Sequence, residues 1–336
     1  MSRIDSLRGG MAGIAIARSG AVAAPILVGT SGWIYPHWKG LFYPPKLPSK
    51  RWLSYLAGRL PSVEVNGTFY SLTRPAACQA WRESVPPGFV FALKGSRYVT
   101  HMLKLANFRA PLANFFASGV LRLGATLGPV LWQLPPQLPF RPDRADAFFA
   151  ALPRTVAEAE RWARRHDSRT TGRAALTAPD GRDTPLLHAV EIRHESWLSD
   201  EALRLLERRS IALVAAGTAS RHPLSLVRTS RELAYVRLHG ARRLYEGRYT
   251  EDELEEWAGR CRTWAREGAL VVVYFDNDRD AAAPKDAIRL WEIVNGRQAS
   301  AEPVLEPEPA RPPREVPGHF GAGGLRRPRS QGERAS

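Results

Sequence analysis

Cysteine, lysine and long apolar runs are what this chain has least of. Its two cysteines, Cys78 and Cys261, lie far apart and match no metal-ligand spacing. Each falls in a helix-like stretch, which points to two buried thiols and suits a reducing, cytoplasmic compartment. No apolar run approaches the roughly 18 residues needed to cross a bilayer, so a membrane protein of helical spans is not expected. Lysine occurs six times (Lys39, Lys46, Lys50, Lys94, Lys104, Lys285) among 48 basic residues. No glycine-rich dinucleotide fingerprint follows the first strand-like run, no Ser-His-Asp arrangement stands out, and no motif implies a cofactor or a metal.

What the chain does have is globular composition, 44% hydrophobic and 24% charged, and a net charge of +15. The leader carries +2 and the segment from Arg297 another +2, leaving +11 spread over many helical stretches. A diffuse basic surface favours anionic partners in general. A nucleic-acid-binding or -processing protein is one reading of it, although the charge forms no single block. Residues 1–24 are expected to be a disordered leader. The apolar stretch within them is short and broken by Arg18, a poor signal peptide. Residues 297–336, rich in Pro, Gly and Arg, are expected to be a disordered tail.

Between them lie eight short runs of strand character, at 26–30, 63–67, 89–95, 129–135, 188–193, 211–217, 233–240 and 270–277. Most are continuously apolar, as parallel strands covered on both faces must be. Helical periodicity fills 49–60, 75–84, 108–121, 144–152, 199–209, 250–267 and 284–294. Ser199 and Thr250 stand as capping-box-like starts, and Pro284 suits a first helical turn. Polar residues 166–186 are expected to be a mobile insertion. The alternation predicts an α/β fold, a single-domain TIM (β/α)8 barrel over 25–296, with an open doubly wound sheet as runner-up.

In such a barrel, outward strand residues lie under helices, so polar ones must point into the lumen, and those near the C-terminal ends floor an active site. That test selects Glu64 and Asn66, Lys94, Gln133, Glu191 and Arg193, Arg237 and His239, and Asp276 and Asn277. Spacing by two puts Glu191 with Arg193, and Arg237 with His239, on shared faces. Glu64 and Glu191 are candidates for acid–base work. Lys94 is either a base or Schiff-base lysine with a depressed pKa or a counter-ion for a glutamate. His239 is a proton shuttle or a hydrogen-bonded structural histidine. Arg193 and Arg237 suit an anionic substrate, with Asn66, Gln133 and Asn277 orienting it and Asp276 beside them. Arg242, Arg243 and Arg248, after the seventh run, offer a further oxyanion grip or an ordinary solvated loop. Trp33 and Tyr35 are expected to form a stacking wall, with Tyr70 nearby and Trp38 and Phe42 in a loop core.

Six blocks in order resemble one family: Gly29-Thr-Ser-Gly-Trp-Ile-Tyr-Pro-His-Trp38, Glu64-Val-Asn-Gly-Thr-Phe-Tyr70, Gln133-Leu-Pro-Pro136, Glu191-Ile-Arg-His-Glu-Ser-Trp197, Arg237-Leu-His-Gly240 and Tyr274-Phe-Asp-Asn-Asp278. The chain is similar to the YecE-like proteins, domain of unknown function 72, a resemblance that implies a TIM barrel and no established activity. The family pattern has an aspartate after the sixth strand and then a Trp-Pro, where this chain has Gly217 and His222-Pro223. The charged strand ends favour an enzyme acting on a small anionic, phosphorylated or carboxylated, sugar-like substrate. The missing aspartate favours the alternative, a ligand-binding or regulatory barrel without turnover.

Overall fold

Parallel strands that are apolar on both sides, each followed by a helix, bury themselves economically by closing on themselves with the helices outside. The computed structural model describes residues 23–216, 225–240 and 246–296. The leader up to residue 22, the tail from 297, Gly217, His222, Pro223, Arg242 and Arg243 lie outside the described residues. The strands are β1 (Ile26–Ser31), β2 (Ser62–Val65), β3 (Val90–Lys94), β4 (Leu127–Gln133), β5 (His188–Glu191), β6 (Ile211–Leu213), β7 (Ala215–Ala216), β8 (Leu233–Leu238) and β9 (Leu270–Phe275). They form one sheet in the order β6-β5-β4-β3-β2-β1-β9-β8-β7, parallel at every pairing.

The two edges of that sheet are one stretch of chain. Only Val214 separates β6 from β7; its N–H bonds the carbonyl of Val190 in β5 at 3.0 Å, while β7 pairs with β8. The sheet therefore closes through this divided strand, giving the eight positions of a TIM barrel. Each of the eight runs seen in the sequence supplies one of them.

Among the described residues the helices are α1 (Trp52–Ala57), α2 (Gly67–Tyr70), α3 (Pro75–Glu83), α4 (Arg109–Ala117), α5 (Pro142–Ala151), α6 (Val156–Ala163), α7 (Asp200–Arg208), α8 (Glu251–Arg266) and α9 (Ala282–Val294). At α8 the capping box is complete: Thr250 accepts from the Glu253 N–H and the Glu253 carboxylate returns to the Thr250 N–H. At α7 it is half-built, because Ser199 accepts from the N–H of Ala202, which has no side chain to reach back. Such a cap contributes about 1 kcal/mol. The helical pattern over 108–121 is cut short by Gly119, whose φ of 123° no other residue adopts cheaply and whose absent Cβ would lie 2.6 Å from Pro75 N. The sequence pattern does not pick out α6. Its buried positions, Val156, Ala159, Glu160 and Ala163, make a stripe of two alanines, one valine and an acid, too weakly apolar to stand out.

α6 also holds segment 166–186, which was expected to be a mobile insertion. Buried Glu160 accepts from the Ala178 N–H at 3.0 Å and from Arg182 Nε at 3.1 Å. On α4, Asn114 donates to Asp167 at 2.9 Å. The insertion is thus tied to two helices.

Strand alternation divides the core. Val28, Val63, Phe91, Trp132, Val190, Val236 and Val273 face the helices. Ala92, Leu131, Ala189, Ala212, Val214, Tyr235, Val272 and Tyr274 fill the lumen. Cys78 and Cys261 are free and buried, and among the described residues no helix is long and apolar enough to cross a membrane.

His188 faces outward and is fully buried. Its Nε2 lies 2.8 Å from the Pro153 carbonyl, an acceptor, and its Nδ1 accepts from Trp132 Nε1 at 3.3 Å. Those partners fix the neutral tautomer, and burial pushes the pKa down to about 3. A folded pKa below the unfolded value of about 6.5 means the contribution is complete above pH 6.5. It is lost progressively as pH falls from there towards 3. Acid unfolding of His188→Gln should therefore be shallower than wild type below pH 6.5, by up to about 1.4 kcal/mol per pH unit in urea titrations. Equal slopes in the two proteins would contradict the assignment.

Candidate active site

The lumen carries its charges at its C-terminal end, where the last inward positions of several strands meet. Arg237, two residues past Tyr235 on the lumen face of β8, lies at the centre and is 1% exposed. Its Nε bonds Glu64 Oε2 at 3.1 Å and its Nη1 bonds Glu191 Oε2 at 2.9 Å. Its Nη2 reaches Glu64 Oε1 at 2.9 Å, Asp276 Oδ2 at 3.0 Å and Ser31 Oγ at 3.0 Å. A buried ion costs several kcal/mol unless its partners are well placed, and here three carboxylates converge on one planar fork. Burial opposes the guanidinium's charge, but Glu64, Glu191 and Asp276 outweigh it and hold the pKa well above the ordinary value.

Strand register explains how each carboxylate arrives. Ser31 stands beside Glu64 in the β1–β2 pairing, and its hydroxyl donates to Glu64 Oε1 at 2.5 Å. Tyr235 donates to Oε2 at 2.6 Å. Glu64 thus receives two bonds on each oxygen, which fills its acceptor positions. Gln133 stands beside Glu191 in the β4–β5 pairing and donates to it at 2.9 Å. Burial raises the pKa of Glu191, yet Arg237, His239 and Arg193 together bring it well below the usual carboxylate range. Burial likewise opposes ionisation of Asp276, and Arg237 and His239 again prevail.

His239 sits between two of these acids, with Nδ1 3.1 Å from Asp276 Oδ2 and Nε2 3.3 Å from Glu191 Oε1. Burial and Arg237 push its pKa down, but the hydrogen bonds to Asp276 and Glu191 raise it overall. Both ring nitrogens face carboxylates, so the imidazolium is the favoured form.

Two cations remain among the described residues. Arg193 is 3.5 Å from Glu191 Oε1 through Nη2, and its Nε is buried with no hydrogen-bond partner among them. Lys94 lies 8% exposed at the end of β3; its carbonyl accepts from Thr68 Oγ1 at 2.7 Å, while its ammonium makes no hydrogen bond or ion pair among the described residues. Its ammonium rests 4.6 Å from the ring centroid of Phe69. Burial, and then the charge of Arg237, lower its pKa against the pull of the three acids. It is therefore not the paired counter-ion of a glutamate. His101, in the turn after β3, lies edge-on to Phe69 and bonds Thr100 Oγ1 through Nδ1 at 2.9 Å. Burial, with Arg193, Arg97 and Lys94 close by, pushes its pKa down to about 4. The turn continues through Lys104, Leu105 and Asn107 in left-handed backbone, at φ of 50°, 64° and 46°, a costly conformation for residues with side chains.

Glu64, Lys94, Gln133, Glu191, Arg193, Arg237, His239 and Asp276 thus gather as the alternation required. Asn66 joins them through bonds from its Nδ2 to the Ser31 carbonyl and hydroxyl, at 3.1 and 3.2 Å. Other expectations need correction. Asn277 follows inward Asp276 and so points outward, donating to Asp286 at 2.9 Å and to the Gly247 carbonyl at 2.8 Å under α9. Arg248 bonds the same Asp286 at 2.8 Å, away from the lumen. Trp33 is 6% exposed and packs edge-on against Trp81 at 5.5 Å, in the outer core instead of a substrate wall. Tyr35 does border the site: its hydroxyl donates to the Ser31 carbonyl at 2.6 Å, and burial, Asp276 and Asp278 hold it protonated. Tyr70, 68% exposed, lies on the surface beside Phe69. Trp38 and Phe42 form the expected loop core. Ser31, Phe69, His101 and Tyr235 were not singled out in the sequence; Ser31 stands beside Glu64 across the β1–β2 pairing, and Tyr235 shares a strand face with Arg237.

Among the described residues no three His, Cys, Asp or Glu side chains are arranged to hold a metal ion. Fold and site together define a TIM-barrel protein with an internally neutralised charge cluster at its C-terminal rim. The chain belongs to the family described as protein of unknown function DUF72, whose model matches residues 27–313. It is similar to a DUF72 family protein of Thermotoga maritima MSB8, at 22% identity and a TM-score of 0.62, over 80% of this chain and 99% of that one. A DUF72 family protein of Enterococcus faecalis V583 aligns at 16% identity and a TM-score of 0.61, over 84% of this chain and all of that one. Likenesses at this level of identity speak for the fold. No curated protein matches the chain.

Removing the central cation leaves three buried carboxylates facing one another. Arg237→Leu should lower the unfolding free energy at neutral pH by about 3–5 kcal/mol, and adding Glu64→Gln should recover part of that loss. Denaturant titration of both variants checks this; a single variant as stable as wild type would contradict the network.

Proposed function

We propose that the barrel mouth binds a small anionic substrate, phosphorylated or carboxylated, and performs acid–base chemistry on it. The observation that carries this reading is the buried Nε of Arg193, which has no hydrogen-bond partner among the described residues. An unsatisfied buried donor costs about 1–3 kcal/mol, more when charged. The neighbouring carboxylates do not relieve it, since Glu64, Glu191 and Asp276 are already engaged by Arg237. An incoming oxyanion supplies the missing acceptor, and the guanidinium fork suits carboxylate or phosphate.

The roles then differ from those the residue types first suggested. Arg193 anchors the anion. Glu64, with both oxygens fully occupied, is architectural. Glu191, held ionised, positions Arg193 and His239. Lys94 is the base, because a desolvated amine without a counter-ion loses its proton more readily than an exposed one. The free, buried thiols suit a reducing, cytoplasmic compartment.

Calorimetric titration of the full chain with inorganic phosphate and with small sugar phosphates and sugar acids tests the reading. Binding is expected in wild type, with Arg193→Ala weaker by about tenfold or more, a loss of at least about 1.4 kcal/mol. Lys94→Met should keep the binding and lose turnover of whichever substrate binds. No anion binding, or equal affinity in Arg193→Ala, would overturn it.

A further inference from the structure

Lys94 has an environment that base chemistry does not fully use. Its side chain projects from a rigid strand end, nearly buried, with its nitrogen over the face of Phe69 and no carboxylate within ion-pairing distance among the described residues. The three acids that could have paired with it are directed at Arg237 instead. Exposed ammonium groups are solvated and poor nucleophiles, whereas an amine desolvated beside another cation is the arrangement that frees a lone pair. Arg237 supplies that neighbouring cation. The other five lysines are exposed or half-buried.

We propose that Lys94 is a covalent nucleophile that forms an imine with a small aldehyde or ketone carrying an anionic group. The proposal rests on the anion site at Arg193 and deepens it by naming the substrate's second group, a carbonyl, towards which the unprotonated Lys94 amine acts as nucleophile in place of base. In the step, the Nζ lone pair attacks the carbonyl carbon and the C=O π pair moves onto oxygen. The C–N bond forms, and the oxygen leaves as water with the two hydrogens of the amine as C=N closes. No oxidant or reductant enters. His101, edge-on to the same Phe69 ring, has its pKa pushed down to about 4 by burial and is a neutral imidazole at neutral pH.

Reductive trapping tests this directly. The full chain is incubated at pH 7 with glyoxylate, a small aldehyde bearing a carboxylate, in the presence of cyanoborohydride, and modified lysines are mapped by peptide mass spectrometry. Each unit by which an amine's pKa lies below that of an exposed lysine gives about tenfold more free base at this pH. The adduct should therefore concentrate on the peptide containing Lys94, fall when inorganic phosphate is added, and be lost from that peptide in Lys94→Arg. Should that variant fail to fold, phosphate competition in wild type still decides the matter. Labelling spread evenly over the lysines, or confined to the exposed ones, overturns the inference. If phosphate binds through Arg193 while Lys94 stays unlabelled, imine formation fails and the anion site stands. If uncharged propionaldehyde labels Lys94 as well as glyoxylate does, the nucleophile stands and the anion reading fails.

Discussion

Everything at the barrel mouth follows from one guanidinium with nowhere else to go. Arg237 points into a lumen closed on every side by strands, where its charge is tolerable only because Glu64, Glu191 and Asp276 aim at it from three other strands. Such a network costs desolvation and repays it through geometry. Tyr235 and Ser31 add neutral donors to Glu64, and His239 bridges Glu191 and Asp276. The acids are consequently committed as architecture.

That commitment is what gives the periphery its character. Because the carboxylates are spent on Arg237 and His239, Arg193 has, among the described residues, a long contact to Glu191 and a vacant buried donor. Lys94 keeps a hydrocarbon stem, an aromatic face and the repulsion of Arg237 against the pull of the three acids. Arg237, His239 and Arg193 together balance the three carboxylates, and the buried donor left over on Arg193 is where an anion would find a partner, beside an amine that is nearly buried.

Much of this was legible before any coordinates. The period of two along apolar strands marked Glu64, Lys94, Gln133, Glu191, Arg193, Arg237, His239 and Asp276, because strand positions under the helices are mostly apolar; His188 and Asn277 are polar there and each has partners. The same rule, applied strictly, would have excluded Asn277, whose neighbour Asp276 already held the inward position. Trp33 lies just beyond β1, where the alternation no longer says which way a side chain faces. Ser31 and Tyr235 went unnoticed since neither interrupts an apolar run as a charge does. What no pattern encodes is the allocation of partners. Whether Lys94 answers a glutamate or stands alone is decided by ångström differences in which cation the glutamates reach first. The family relationship settles the fold on independent grounds, and it is silent on that allocation.

The protonation behaviour of Lys94 tests this account most directly. With six lysines in the chain, their side-chain resonances can be followed by NMR through a pH titration of isotope-labelled protein. The account predicts one lysine titrating clearly below the ordinary value of about 10.4 and missing from the Lys94→Met spectrum. Six lysines titrating together near that ordinary value would contradict it.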